Sequence, residues 1–320
     1  MSVALIMPHD RCWAEKTKTH KDVVYEKYRH LYNDGSELSF IEIQNKEFAT
    51  VTLFSKLKET KGLVILTQDI DEDFDSATLI KPLRQQLSAR GWATVTINLH
   101  YFFSIQPDLA LESKNQLIAE QATSIQNDDS ESTPNRQEQE STSASSQPPE
   151  DTAQLDAESS AAAEEPIPKK ENFNEATKLL GELFNQVITS FQLSNEQRVF
   201  IISHGISAYW SLEIINTIEI NAFGFIALGI YYPEIKTNQS IATALSKVQT
   251  YVLDIYSDND NRWVISQAES RRLMNQFREK NFRQVKMNHT DFHYKDHIDF
   301  LASKINGWMH FTTGPSKESR

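Results

Sequence analysis

The sequence predicts an α/β domain, a mostly parallel sheet with helices on both faces, and three observations predict it. Short apolar runs of strand length alternate with longer stretches whose apolar residues recur at helical spacing, over roughly 38–103 and again over 173–310. Alternation at these lengths implies crossover connections and a parallel sheet covered on both sides. The third observation is a break in the pattern. From Ser104 to Asn172 there is no aromatic residue and no Gly, and Ser, Gln, Glu, Thr and Ala dominate.

Each element has its own signal. Leu38–Gln44 and Phe48–Phe54 read as antiparallel edge strands, and Gly62–Thr67 as a short buried strand. Ser76 is placed to cap a helix with Leu79, Ile80, Leu83 and Leu87 on one face, stopped at Gly91. Trp92–Leu99 is the next strand. Beyond the break come a helix at Phe173–Phe191, a strand at Arg198–Ile202, a helix at Ala208–Ile218 and a strand at Phe223–Tyr231. A helix at 238–247, a strand at Thr250–Tyr256 and a long helix at Asn261–Lys280 follow. Phe282–Met287 is the last strand. His297–Phe311 is the last helix, its stripe made by Ile298, Leu301, Ile305 and Trp308.

The break itself, 107–169, holds too little apolar surface to offset its ordering entropy and is expected to be a disordered acidic insert. Arg136 is its only basic residue between Gln116 and Pro168. The chain then divides into a leader or arm (1–37), a first part of the domain (38–106), the insert, a second part (170–312) and a tail (313–320).

The net charge of -12 argues against nucleic acid as a partner, because phosphate binding needs clustered Lys and Arg. No apolar run reaches the roughly 18 residues of a membrane span. The single Cys, Cys12, excludes an intramolecular disulfide and a Cys-based zinc cage. Two readings of the N-terminus stay open. Ser2–Met7 followed by Cys12-Trp13-Ala14 fits the remnant of a signal peptide over residues 1–14, which implies a periplasmic chain. The other reading is a frayed arm of a cytoplasmic one.

The most informative segment is Ser203-His204-Gly205-Ile206-Ser207-Ala208, directly after the apolar run Val199–Ile202. A buried strand breaking into a helix with small flanking residues is the pattern of a nucleophile elbow, where a serine at the tip attacks the substrate. With Ser203 and Ser207 in the small positions, the tip falls on Gly205. A rival register makes Ser207 the nucleophile, but it spaces the strand too far from the tip and puts Tyr209 where a small residue belongs. A plain strand-to-helix turn needing one Gly is the remaining reading. Glycine tolerates the strained backbone of such a tip at almost no cost.

With these residues the chain resembles the α/β-hydrolase superfamily, and more closely a gammaproteobacterial α/β-hydrolase-like family known only as a domain of unknown function. The resemblance rests on Gly62–Leu66, on Ile80–Arg84 with Leu87, on Gly91–Thr94 and on the elbow. It continues through Val252–Tyr256, Arg283–Val285 and Ile305–Trp308. Members of that family similarly carry Gly where the nucleophile would stand, so the resemblance implies fold more firmly than activity.

It also implies where a triad's other members lie. The acid position after the strand ending near Tyr256 falls on Asp260, with Asp258 as second choice, and the base position after the last strand on His289 or His293. Turn chemistry explains Ser257–Asp260 equally well. The oxyanion hole needs backbone donors from the loop after Gly62–Thr67, yet that loop, Gln68–Asp75, has no Gly and five carboxylates. His289, His293 and His297 recur every four residues, a spacing that suits a divalent metal if the segment is helical. The short connection from Tyr232 to Gln249 leaves no room for a large lid.

The expected function is therefore non-catalytic: a degenerate elbow on a hydrolase scaffold in a binding or assembly role, with a protein or a small-molecule ligand as partner and no cofactor. One alternative is a weak serine esterase or acyl hydrolase using Ser207 or Ser203 with His289 or His293 and Asp260. The other is a metal-dependent hydrolase built on the three histidines.

Overall fold

Side chains that alternate along each strand separate two cores on either side of one sheet. In β3 (Gly62–Thr67) Leu63 and Ile65 belong to one core, while Val64 and Leu66 belong to the other. The computed structural model describes residues 20–70, 72–73, 75–99, 170–278 and 281–314. The expected insert at 107–169 and most of the expected leader and tail lie outside the described residues.

The other strands are β1 (Glu37–Ile43), β2 (Lys46–Leu53), β4 (Trp92–Ile97), β5 (Arg198–His204), β6 (Gly224–Leu228), β7 (Tyr251–Asn259) and β8 (Phe282–Asp291). They form one sheet in the order β1-β2-β4-β3-β5-β6-β7-β8. β2 runs antiparallel to both neighbours and β3 to β8 pair in parallel. The predicted parallel sheet is present. One detail differs: β2 is not an edge, because it pairs with β4 as well as β1.

The helices are α1 (His20–Lys27), α2 (Ile80–Ala89), α3 (Lys170–Ser190), α4 (Ile206–Thr217), α5 (Ile235–Lys247), α6 (Arg262–Met274) and α7 (Ile298–Thr313). On one face α3, α4 and α5 bury Leu180, Phe184, Trp210, Leu212 and Ile241 against Ile65, Ile201 and Phe225. On the other face α2 and α7 bury Leu83, Leu87, Leu301 and Ile305. Aromatic edges lock that second face: Trp92 and Trp308 both meet Phe200, with ring centroids 5.4 and 5.9 Å apart. Such pairs add about 1 kcal/mol each beyond their buried area.

Several boundaries move for local reasons. Ser76 does not cap α2. The helix starts at Ile80, and the Ser76 hydroxyl instead meets Thr78. The helix expected over 261–280 stops at Met274 and gives way to a 3-10 turn at Gln276–Arg278. Asn261 caps it by accepting from Val264 N–H at 3.0 Å. α5 begins earlier than expected, capped by Glu234. Within the region read as a leader or arm, the described residues carry α1 and a 3-10 turn at Arg29–Asp34. None of the described helices is long and apolar enough to cross a membrane.

Candidate functional site

Parallel strands end together, so the loops after β3, β5, β6, β7 and β8 converge at the carboxyl edge of the sheet, where ligands bind in open α/β sheets. At the centre is the turn from β5 into α4. One residue, Gly205, separates strand from helix, with φ 61° and ψ -131°. Such a sharp, strained strand-to-helix turn is the form that a nucleophile elbow takes, and a glycine adopts it at little cost. The strand runs two residues further than expected, to His204, and the helix begins at Ile206 rather than Ala208.

The space a side chain on residue 205 would need is already taken. A Cβ built on Gly205 would overlap the Asp69 carboxylate, which arrives from the loop after β3. Asp69 Oδ1 accepts the backbone N–H of Ile70 at 2.8 Å and that of Ile206 at 3.0 Å. These two donors, the residue after the elbow tip and a residue of the loop after β3, are those from which a hydrolase builds its oxyanion hole. In this chain both N–H groups converge on its own carboxylate. Burial pushes the Asp69 carboxyl up to about 6, against the lowering effect of the His204 charge and the two N–H bonds. The Tyr231 hydroxyl lies 3.4 Å from Oδ2.

Beside Asp69 sits a chain of titratable groups. His204 is fully buried, its ring 4.2 Å from that of Phe292. Its Nε2 lies 3.2 Å from the Phe292 carbonyl, an acceptor only, so Nε2 carries a proton. Its Nδ1 faces Glu72 Oε2 at 3.5 Å, while His293 Nδ1 meets Glu72 Oε1 at 2.9 Å. Neither contact meets hydrogen-bond geometry, so both are electrostatic pairings. Burial opposes protonation of His204, but its contact with Glu72 and the charges of Asp69, Glu72 and Asp260 outweigh it and raise the imidazole. Burial likewise opposes ionisation of Glu72, yet the two histidines hold its carboxyl below the usual range.

Asp260, at the end of β7, is buried and pushed up to about 6 by that burial. N–H bonds from Ser257 and Asn261 partly offset the rise. No hydrogen bond joins Asp260 to His289 or His293 among the described residues, and His293 pairs with Glu72. Ser207 is buried in the first turn of α4, and among the described residues its hydroxyl has no hydrogen-bond partner. Ser203, also buried, donates to Ser211 Oγ at 2.7 Å.

The three histidines do not share a helix face. His289 lies in β8 with φ 61°, exposed, its N–H donating to Asp258 at 2.9 Å. His293 follows the strand, and His297 ends a 3-10 turn with Nε2 3.0 Å from the His289 carbonyl. Among the described residues no group of three or more metal-ligating side chains is placed to hold an ion. The helical spacing fails because β8 extends through Asp291 and takes His289 into the strand, while His297 falls in a 3-10 turn.

The arm residues fix the loop that carries Asp69. Lys27 and the Tyr28 hydroxyl donate to Asp73 at 2.7 and 2.6 Å. Asp75 takes His30, Lys81 and the buried Arg84 at 2.7, 3.0 and 2.7 Å. Sequence reasoning singled out Gly205 and Asp260 and counted Asp69 and Glu72 only among the five carboxylates of a loop without Gly. Asp69 stands directly before the residue whose N–H must face the elbow, and that position was the available signal. A separate concavity of about 450 Å³, lined in part by Leu193, Arg198 and Phe223, lies at the opposite end of β5 and β6.

A family model described as "Protein of unknown function (DUF3530)" matches residues 8–310. A comparison with curated proteins finds no match. Among solved structures the chain is similar to Est1E from Butyrivibrio proteoclasticus, at 10% identity and TM-score 0.51, covering 86% of this chain and 98% of that one. A Klebsiella pneumoniae subsp. pneumoniae MGH 78578 protein classed as a dienelactone hydrolase gives 11% identity and TM-score 0.52, with 87% and 97% covered. At such identities the likeness is one of fold, that of the α/β-hydrolases.

Proposed function

Because the chain belongs to the DUF3530 family and carries the α/β-hydrolase fold, we propose that it uses this scaffold to bind a protein or small-molecule ligand without catalysing hydrolysis. One observation carries the reading: Asp69 occupies both the oxyanion donors and the space of a nucleophile on residue 205. Acyl transfer needs those donors free to meet charge that develops in the transition state, each contributing on the order of 3 kcal/mol. An anion already bound there removes that stabilisation and repels a second one. The remaining hydroxyls do not compensate, since Ser203 is engaged with Ser211 and Ser207 is paired with no base among the described residues.

The test is labelling of the purified chain with a fluorophosphonate probe, which reacts with activated serines. The expected outcome is no labelling. Labelling that disappears in Ser207→Ala or Ser203→Ala would establish the serine esterase reading instead.

A further inference from the structure

We propose that the concavity at the amino ends of β5 and β6 is a binding site for a small carboxylate with an apolar body, gripped by Arg198. It lies at the opposite end of β5 from the elbow and stands independently of the non-catalytic reading. Two connections build it: the one from α3 to β5, which turns at Gln192 with φ 45°, and the one from α4 to β6. Its volume of about 450 Å³ falls within the roughly 300–1,000 Å³ of small-molecule sites. Burial sorts the lining into floor and rim. Val199 and Ala222 are buried and Leu193 and Phe223 half-buried, whereas Gln192, Asn195 and Asn221 are exposed. An apolar floor under a polar rim suits a ligand with a hydrocarbon body and one polar end.

Arg198 decides what that polar end is. Among the described residues it is the one charged side chain of the lining, which holds no carboxylate although the chain carries a net charge of -12. Its guanidinium is already placed. The central carbon lies 5.2 Å from the Phe223 ring centroid, and Nη1 donates to the Asn195 carbonyl at 2.6 Å. Both supports are themselves fixed. Phe223 meets Phe200 and Tyr251 with centroids 5.7 and 5.2 Å apart. Gln197 ties down the loop of Asn195, accepting the Ser194 N–H and donating to the Thr60 carbonyl, each at 2.9 Å. Among the described residues no acceptor meets Nε or Nη2, the two donors that hold a carboxylate through parallel bonds. A fork held in advance loses little freedom when the anion arrives. A single cation also matches a single charge, so a carboxylate suits it better than a phosphate dianion.

The experiment titrates the full chain calorimetrically at neutral pH with phenylpropionate, and compares phenylpropanamide, acetate and phenyl phosphate. Saturable one-to-one binding of phenylpropionate is expected, at least tenfold tighter than the neutral amide or acetate and tighter than phenyl phosphate. Arg198→Gln removes the charge and the fork and is expected to weaken binding at least tenfold. Arg198→Lys keeps the charge without the fork and is expected to weaken it by less. Asn221→Asp sets a carboxylate on the exposed rim and is expected to weaken binding severalfold, which keeps the test decisive if circular dichroism shows Arg198→Gln to be misfolded. No saturable binding by the native chain, binding matched by the amide or by phenyl phosphate, or binding untouched by Arg198→Gln in a folded chain or by Asn221→Asp would overturn the proposal. Fluorophosphonate labelling reads the other end of β5, so either reading can fail without the other.

Discussion

Gly205 and Asp69 form a matched pair in which each residue accounts for the other. The tip backbone, at φ 61° and ψ -131°, costs a residue with a side chain roughly 1–3 kcal/mol. In this chain the added Cβ would also meet the Asp69 carboxylate. Gly205→Ala is therefore expected to lower unfolding free energy by about 3 kcal/mol or more in urea melts. In an Asp69→Gly background the overlap is gone, and the cost falls toward the backbone term alone. Residues in contact typically show coupling of about 0.5–3 kcal/mol, so simple additivity of the two changes would refute the pairing. Gly205 was legible in the sequence because an apolar run and small neighbours frame it. Asp69 was not, because five carboxylates in one loop look alike until the backbone path shows which one turns inward.

Among the elements, α6 is held to β7 by a fully buried ion pair, Arg271 Nε to Asp254 Oδ2 at 2.8 Å. Gln284 of β8 donates to the same oxygen at 2.8 Å, so three elements share one carboxylate. Arg271→Ala leaves Asp254 charged, buried and short of its cation, and is expected to cost about 3–5 kcal/mol. Replacing both partners, as Arg271→Met with Asp254→Leu, is expected to cost clearly less by the same denaturation measurement. Element order was legible from apolar periodicity, and the ends were not. β7 and β8 run on through Ser257, Asp258 and His289, residues whose chemistry favours turns. Side-chain bonds between the strands explain the extension: Ser257 Oγ to the Thr290 carbonyl and Asp258 to the His289 N–H, across a shift in register. Tertiary partners of this kind are invisible to local propensity.

For the whole molecule, the buried cluster sets how stability follows pH. Asp69 and Asp260 have folded-state carboxyls near 6, above their unfolded values, so the native state binds more protons than the unfolded chain between about pH 4 and 6. Their stabilisation is present at the acid end of that window and is lost as pH rises through it. The raised His204 adds stability of the same sign, lost as pH rises through its folded value. Glu72 and Asp73 are held low, and they stabilise above their unfolded values and cease to do so only in stronger acid. Thermal midpoints are therefore expected to be higher at pH 5.5 than at pH 7.5, by a free energy on the order of a few kcal/mol. Asp69→Asn should flatten that limb. A midpoint that rises steadily toward neutral pH would contradict the protonation scheme.

The exchange of side chains between loop and elbow also constrains how such a protein can change over generations. Gly205→Ser alone collides with the resident carboxylate, whereas Asp69→Gly removes that carboxylate and with it the oxygen that accepts the Ile206 N–H. Only the loss of Asp69 frees the space that a side chain on residue 205 needs. A serine at the tip could therefore be accepted only after the loop had given up its carboxylate, which fixes the order in which the two substitutions would have to occur.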